Sequence, residues 1–319
     1  FGIYTQIQKS IELNEDLNLK LTGSVRYDKS EFFDGFLSPR ISAGLTVNRN
    51  HNIRASVQTG FRNPTTQDLF IGLDAGRAVL VGAAPSNLDR WSRTHDISPA
   101  GQLLGQPSTI TQTGAAGYNN SYTASSALAL AATGNPAVLQ VSNPSLVKPE
   151  QVSSAEVGYR GKFSNVIVDF SAYYNKYKDF ISQEVVVSPL YGTAGDGGLS
   201  IAALANGDSQ AYSTYTNAEA DVNSYGASIG LSTKVLGGFD LSGSYTYAKL
   251  DFDRVAFPDF TTNFNTPEHK FKASFGNTKL FKNFGFNQLG CSFKTISLPC
   301  FSNVKSPYFS CAVGVGKSL

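Results

Sequence analysis

Apolar and polar side chains alternate along most of the chain, one residue at a time. In residues 17–28, Leu19 and Leu21 fall on one side of an extended chain, and Lys20 and Arg26 fall on the other. Successive side chains of a β-strand point to opposite faces of the sheet, so this alternation predicts a strand with one apolar and one polar face. The segments with this period lie at 17–28, 38–48, 51–62, 153–163, 166–182, 214–235, 238–252 and 268–279. With the strand-like start of the chain and less regular segments added, they predict an all-β fold of about ten long antiparallel strands in up-and-down order.

The connections between these strands alternate in length. The short ones cover 14–16, 48–52, 163–165, 236–238 and 281–283. The long ones cover 29–35, 62–152, 187–213 and 254–267. Short turns on one rim and long loops on the other are typical of outer-membrane β-barrels, in which the short turns face the periplasm. The pattern therefore predicts that the long loops share one extracellular rim.

The polar face favours a membrane barrel over a soluble sheet, because it carries charges in the middle of strands, as a wet interior would. About ten residues at ~3.3 Å each, tilted by ~45°, reach roughly 23 Å, which matches the apolar band of a spanning barrel. We expect seven apolar side chains to face lipid: Leu19, Leu21, Val25, Val168, Phe170, Leu241 and Tyr245. We expect six charged ones to face the lumen: Lys20, Arg26, Arg54, Glu156, Asp169 and Asp240. A soluble antiparallel sheet with one solvated face is the alternative.

Composition agrees with the membrane interpretation. Charged residues make up 16% of the 319 residues, against about 25% in typical soluble domains. The net charge of +2 gives no reason to expect a nucleic-acid partner. The sequence has no run of about 18 apolar residues and so predicts no transmembrane helix, although spanning strands are compatible with this because they are short and half apolar.

Four segments, taken in order, resemble a known family. Residues 37–70, 143–163, 168–181 and 265–287 resemble strand and loop segments of the TonB-dependent outer-membrane receptors. The resemblance implies a barrel of about 22 strands whose lumen is filled by an N-terminal plug domain. It also implies import of a scarce nutrient, such as an iron chelate (a siderophore complex), cobalamin or an oligosaccharide. The implied location is the outer membrane of a Gram-negative bacterium, in contact with its lipid, and the implied energy source is the inner-membrane TonB complex.

The two ends of the chain predict a piece of a longer protein. The sequence contains no Met and begins with a strand-like segment, so the plug domain and the segment that contacts the TonB complex are expected upstream of residue 1. All three Cys lie in the last 29 residues, and no acidic residue follows Glu268. We interpret residues 1–287 as the partial barrel and 288–319 as an atypical tail left by a frame error or a misassembled end. A native periplasmic tail with a disulfide is the alternative.

The sequence offers no catalytic constellation. His51, His95 and His269 are scattered without the spacing of metal ligands. The glycine-rich run at 195–198 has no helix pattern after it and predicts a turn, not a phosphate site. We therefore expect no enzymatic activity, no metal and no cofactor.

The connection at 62–152 is the main candidate for ligand binding, because structureless loops of about 90 residues tend to be functional. Its first part is charged and holds the single Trp, whereas Ile97–Val147 contains no charged residue. Residues 123–133 predict a short helix with a Ser or Thr cap. The candidate ligand residues are Arg62, Asp68, Arg90, Trp91 and Arg93. Two alternatives are a loop that merely covers the barrel mouth, and a structural pairing of Arg62 or Asp68 with lumen groups.

These observations lead to one main functional hypothesis, a gated nutrient importer of the TonB-dependent class. A passive porin or an outer-membrane adhesin could be built on a similar barrel, and a soluble β-rich binding protein could show a similar alternation. A plug domain separates the importer from the porin, and solubility without detergent separates the soluble protein from both.

Overall fold

The structure is a computed structural model of the 319-residue chain. It describes residues 1–30, 33–235, 238–261, 267–281, 284–296 and 306–317. Side chains are described in these ranges except at 261, 278–281, 284–296 and 306–317. The predicted connections at 29–35, 236–238, 254–267 and 281–283 and the predicted tail at 288–319 lie partly outside the described residues.

Twenty strands and six α-helices are described. The strands are β1 (Gly2–Asn14), β2 (Leu17–Asp28), β3 (Phe36–Val47), β4 (His51–Arg62), β5 (Gly72–Asp74), β6 (Val79–Val81), β7 (Ser92–Asp96), β8 (Thr109–Thr113), β9 (Ser121–Thr123), β10 (Val141–Ser142), β11 (Glu150–Phe163), β12 (Val166–Lys178), β13 (Ile181–Pro189), β14 (Ser209–Asn217), β15 (Val222–Val235), β16 (Phe239–Asp251), β17 (Phe260–Thr261), β18 (His269–Phe281), β19 (Phe284–Ile296) and β20 (Ser306–Lys317). The helices are α1 (Thr66–Phe70), α2 (Pro85–Leu88), α3 (Pro99–Leu103), α4 (Ala115–Asn119), α5 (Ala124–Thr133) and α6 (Leu199–Ala205), with a 3₁₀ turn at Pro136–Val138.

Eleven long strands form one antiparallel sheet, which we call the wall. Their order is β1-β2-β3-β4-β11-β12-β15-β16-β18-β19-β20, so each strand pairs with the next long strand along the chain. The predicted up-and-down order and the all-β barrel class are confirmed. Among the described strands, β1 and β20 have no partner on their outer sides, so the sheet is open and not a closed barrel. β19 and β20 extend the wall beyond residue 287, and the boundary placed there stays a prediction.

The extents of two predicted strands are wrong, because each contains the point at which the chain leaves or re-enters the wall. The segment predicted at 166–182 divides into β12 and β13, and the one predicted at 214–235 divides into β14 and β15. Asp179 has a positive φ of 53° after β12, which turns the chain away from the wall. Asn217 Nδ2 then donates to the Asp179 carbonyl oxygen at 2.6 Å, fixing β13 beside β14. Alternation alone predicts extended backbone but not the sheet to which it belongs.

The long connections described leave the same rim of the wall, as predicted. The register pairs Asp28 with Phe36, Arg62 with Glu150 and Asn223 with Asp251, so the chain leaves and re-enters the sheet at one level. The opposite rim carries tight turns such as 48–50. The long loops and the short turns therefore lie on opposite rims of the wall.

The two faces of the wall separate polar from apolar side chains. A trough of about 640 Å³ on one face is lined by polar groups that include Lys20, Arg54 and Glu156. Arg54 pairs with Gly44 and Gly158, and a Cβ atom at Gly158 would lie 2.5 Å from Arg54 Nε, so glycine makes room for the guanidinium side chain. The other face exposes large apolar side chains, among them Leu21, Ile41, Val57, Val157, Phe170, Leu241 and Tyr245. Of the side chains expected to face lipid, Leu21, Phe170, Leu241 and Tyr245 are among these exposed residues, whereas Leu19, Val25 and Val168 are only partly exposed.

The connection at 62–152 is folded, and the expectation of a structureless loop is wrong. It forms five helices and six short strands, including the predicted helix α5, whose Thr123 side chain accepts from the Ser126 amide. Its strands join β13, β14 and β17 in a second sheet of order β10-β9-β13-β14-β6-β5, with β17 beside β13, while β7 and β8 form a hairpin. We call these segments, residues 63–149, 180–218 and 252–261, the cap.

Apolar side chains from separate segments explain why the cap is compact. Val79 and Val81 on β6, Val186 on β13, and Tyr212 and Tyr215 on β14 are all nearly inaccessible to solvent and pack in one cluster. All of these side chains come from the first two cap segments, 63–149 and 180–218, which therefore share one core. No helix in the described part of the chain has the length and apolarity needed to cross a membrane.

Candidate functional site

The hydroxyl of one buried tyrosine links the segments of the cap. Tyr118 on α4 is 2% exposed. The carbonyl oxygens of Val81 and Tyr215, each 3.0 Å from its Oη, share its one hydroxyl proton, and the Oη accepts from the Tyr215 amide at 3.0 Å. Burial raises the pKa of this hydroxyl, so it stays protonated and able to donate. One side chain thereby joins α4 to β6 and β14, which come from two different loops.

Two of the predicted ligand residues, Arg62 and Asp68, lie where the wall meets the cap. Arg62 Nη2 is 3.0 Å from Glu150 Oε2, and Arg62 Nη1 is 3.9 Å from Asp68 Oδ2. Glu150 also accepts from the Ile181 amide at 3.0 Å. Asp68 and Thr65 exchange hydrogen bonds that cap α1. These contacts engage both side chains within the protein, and their role in ligand binding stays a prediction.

The other three predicted residues lie together at the start of β7. Trp91 is half-buried and meets Tyr212 edge to face, with ring centroids 5.7 Å apart, so part of the indole packs on the cap core. Arg93 Nη1 forms an ion pair with Asp74 Oδ2 at 2.7 Å, and both side chains are about half exposed. Arg90 is exposed and has no ion-pair partner among the described residues. The three residues are therefore close in the chain at the surface of the cap, and Arg90 takes part in no ion pair among the described residues.

Sequence reasoning missed a cavity of about 400 Å³ between the three cap segments. Ser182 and Glu184 on β13 line it, together with Ser142 from the first segment and Asp259 from the third. Ser142 Oγ donates to Glu184 Oε1 at 2.8 Å. The one signal in the sequence is Glu184 itself, a charge inside the otherwise uncharged strand β13. Its partners are too distant along the chain for spacing to reveal them.

Burial and neighbouring acids shift the titration of Glu184. Desolvation raises the pKa of its carboxyl above the ordinary 4.5, the hydrogen bond from Ser142 opposes this, and the charges of Asp259 and Glu219 raise the pKa further. The cavity is therefore a place where negative charge is costly. Across the described residues there is no group of three or more His, Cys, Asp or Glu side chains placed to hold a metal ion.

A family comparison agrees with this architecture. The sequence profile of the family described as TonB dependent receptor-like, beta-barrel matches residues 1–302, which is nearly the whole chain. The chain belongs to the TonB-dependent receptor β-barrel family. The resemblance found in the sequence is thereby confirmed, and so is the location, because the proteins of this family lie in the outer membrane of Gram-negative bacteria. They are transporters, not enzymes.

Solved structures of siderophore receptors are similar to this chain at low sequence identity. The ferric enterobactin receptor PfeA from Pseudomonas aeruginosa, in a G324V mutant form, matches with a TM-score of 0.51 and 13% identity over 92% of this chain and 32% of its own. The siderophore receptor PirA from Acinetobacter baumannii matches with a TM-score of 0.49 and 12% identity over 92% of this chain and 33% of its own. The chain thus spans about a third of the length of these receptors. No curated protein matches the sequence.

Proposed function

We propose that the protein is an outer-membrane receptor that imports a scarce nutrient, energised through the TonB complex, and that the cap captures the nutrient first. The observation that carries this proposal is the fusion of three long connections into one folded cap on a single rim of the wall. A solvated loop that merely covers the mouth would not need a buried core. The plug domain and the TonB-contacting segment belong to the rest of the receptor.

The patch at Arg90, Trp91 and Arg93 is the proposed capture surface. Arg90 has a free charge, and the exposed part of Trp91 offers a rigid apolar contact. Such a patch suits an anionic iron chelate through its guanidinium groups, or a neutral oligosaccharide or cobalamin through the indole. The nutrient class follows from which of these side chains matters more.

Uptake by the whole receptor tests the proposal. Cells that carry the receptor are given a labelled ferric catecholate chelate, labelled cyanocobalamin or a labelled malto-oligosaccharide, with and without a protonophore. We expect uptake of one of these ligands to stop when the protonophore collapses the energy supply of the TonB complex. Uptake that continues with the protonophore indicates a passive porin, and binding without uptake of any of the three indicates an adhesin.

Substitutions at the patch have distinct expected effects. For an anionic ligand, Arg90→Ala with Arg93→Ala should weaken capture by about tenfold and flatten its dependence on salt, because two exposed charge contacts contribute about 0.2–1 kcal/mol each and salt screens them. For a neutral ligand, Trp91→Ala should reduce capture more than the arginine changes. Asp74→Asn is the matched control, because it removes the ion pair of Arg93 without removing its positive charge. If none of these changes alters capture, the proposal of capture at this patch is contradicted.

A further inference from the structure

The cavity between the three cap segments is separate from the capture surface, and the proposed function makes no use of it. Its lining includes residues of 123–145 from the first segment, 182–219 around the second, and 256–260 from the third. Its volume of about 400 Å³ lies in the range of small-molecule sites. It exists only because the three segments fold together.

The charged side chains that line this cavity in the described part of the chain are all acidic. Glu184, Glu219 and Asp259 line it, and no Lys or Arg is among its lining residues in the described part of the chain. The register pairs Glu184 with Phe260, which places Asp259 one residue from the strand position opposite Glu184. Burial is the largest cause of the raised pKa of Glu184, and the charges of Asp259 and Glu219 raise it further. A bound cation would relieve this repulsion.

One carboxylate oxygen in the cavity is left for a ligand. Glu184 Oε1 accepts from Ser142 Oγ at 2.8 Å, whereas Oε2 has no hydrogen-bond partner within the described ranges. Asp259 accepts from the Ser125 amide at 2.9 Å and from the Ser125 hydroxyl at 2.6 Å. Each carboxylate oxygen has two lone pairs, so Asp259 keeps capacity to accept from a ligand as well.

A buried hydroxyl gives an independent indication of a ligand. Ser182 is 1% exposed and lines the cavity on the same face of β13 as Glu184, two residues away. Its Oγ is buried and has no hydrogen-bond partner among the residues described. Leaving such a group unpaired costs about 1–3 kcal/mol. The neighbouring Thr216 hydroxyl is already engaged, since it donates to the Ser145 carbonyl oxygen at 2.8 Å.

We propose that this cavity binds a small organic cation that carries an ammonium group. An ammonium group has three donors and no acceptor, which matches an unpaired serine hydroxyl among carboxylate oxygens. Phe257 and Phe260 line the same cavity and offer apolar surface for the methylene groups of such a ligand. The proposal concerns binding to the cap and does not depend on import.

Equilibrium dialysis of the purified full-length receptor in detergent tests this proposal. The probe is radiolabelled 1,5-diaminopentane, and the competitor is 1,5-pentanediol, which has the same chain length with hydroxyls in place of the charges. We expect saturable binding of the diamine that weakens as salt rises and that the diol does not displace. Displacement by the diol at concentrations similar to those of unlabelled diamine would identify a site for neutral hydroxyl ligands. That result, or the absence of saturable diamine binding, overturns the proposal.

Substitutions locate the binding to this cavity. We expect Glu184→Gln to weaken diamine binding by about tenfold or more, since it removes the charge that pairs with the ammonium group, and Ser182→Ala by about threefold, since it removes one neutral acceptor. Asp221→Asn, which changes an exposed acid outside the lining, is the control and should leave binding unchanged. Glu219→Gln changes an exposed lining acid, cannot disturb the buried core, and should weaken binding by about threefold. Unchanged affinity in both Glu184→Gln and Glu219→Gln overturns the assignment.

Discussion

Val57→Arg should destabilise the membrane-inserted receptor by about 2–4 kcal/mol, because it places a charge against lipid at the middle of a spanning strand. Val57 lies near the centre of β4 and is 64% exposed on the apolar face, next to Ile41 and Ala155 in neighbouring strands. In water an exposed valine would tolerate this change with little effect. The size of the loss in stability therefore shows whether lipid or water covers this face.

Ser56→Arg is the matched control, one residue away on the polar face. Ser56 lines the polar trough and pairs with Glu156 in the neighbouring strand. A guanidinium group added here would be hydrated and would lie near an opposite charge. We expect this change to alter stability by less than about 1 kcal/mol. The measurement is guanidinium unfolding of the full-length receptor in phospholipid vesicles. Equal losses for the two variants would contradict the assignment of the faces.

Tyr118→Phe should destabilise the cap by about 3 kcal/mol, because it removes one hydroxyl and leaves several buried polar groups unpaired. The groups that lose their partner are the Val81 carbonyl and the amide and carbonyl of Tyr215. The wall contains none of these contacts and should keep its stability. We therefore expect faster hydrogen exchange at Tyr215 and faster proteolysis of residues 63–149, with unchanged exchange in β11 and β12.

Tyr174→Phe is the matched control for this change. Tyr174 Oη donates to Asn223 Oδ1 at 2.9 Å on the wall, so this change removes a single hydrogen bond in which no cap residue takes part. We expect an effect of less than about 1 kcal/mol, with normal proteolysis of the cap. If Tyr118→Phe leaves hydrogen exchange and proteolysis of the cap unchanged, the hydroxyl does not hold the cap together.

The wall could be predicted from the sequence because the features that define it lie close together along the chain. Each wall strand has its own two-residue period, and consecutive strands pair, so alternation in β2 or β4 is enough to give face and order. Turn lengths then distinguish the rims. The family resemblance added the number of strands in the complete barrel, which this open sheet cannot supply.

The cap could not be predicted because its contacts join segments that are distant in sequence. β6 is three residues long and pairs in parallel with β14 more than a hundred residues later, so Val79 meets Tyr212 without any local signal. The proposed capture surface was visible in the sequence, because Arg90, Trp91 and Arg93 form a charged cluster that includes an aromatic residue. The cavity was not, because Ser142, Glu184 and Asp259 come together only after all three segments have folded.

Surface labelling tests the central claim, that the wall spans the outer membrane with the cap outside. In a full-length receptor whose native cysteines are replaced by serine, Leu103→Cys places a thiol on α3 of the cap, where Leu103 is 89% exposed. Glu15→Cys places a thiol in the exposed turn between β1 and β2 on the opposite rim. A bulky maleimide that cannot pass through porins should label Leu103→Cys in intact cells and Glu15→Cys only after the outer membrane is permeabilised. Labelling of Glu15→Cys in intact cells, or protection of Leu103→Cys there, would contradict the account.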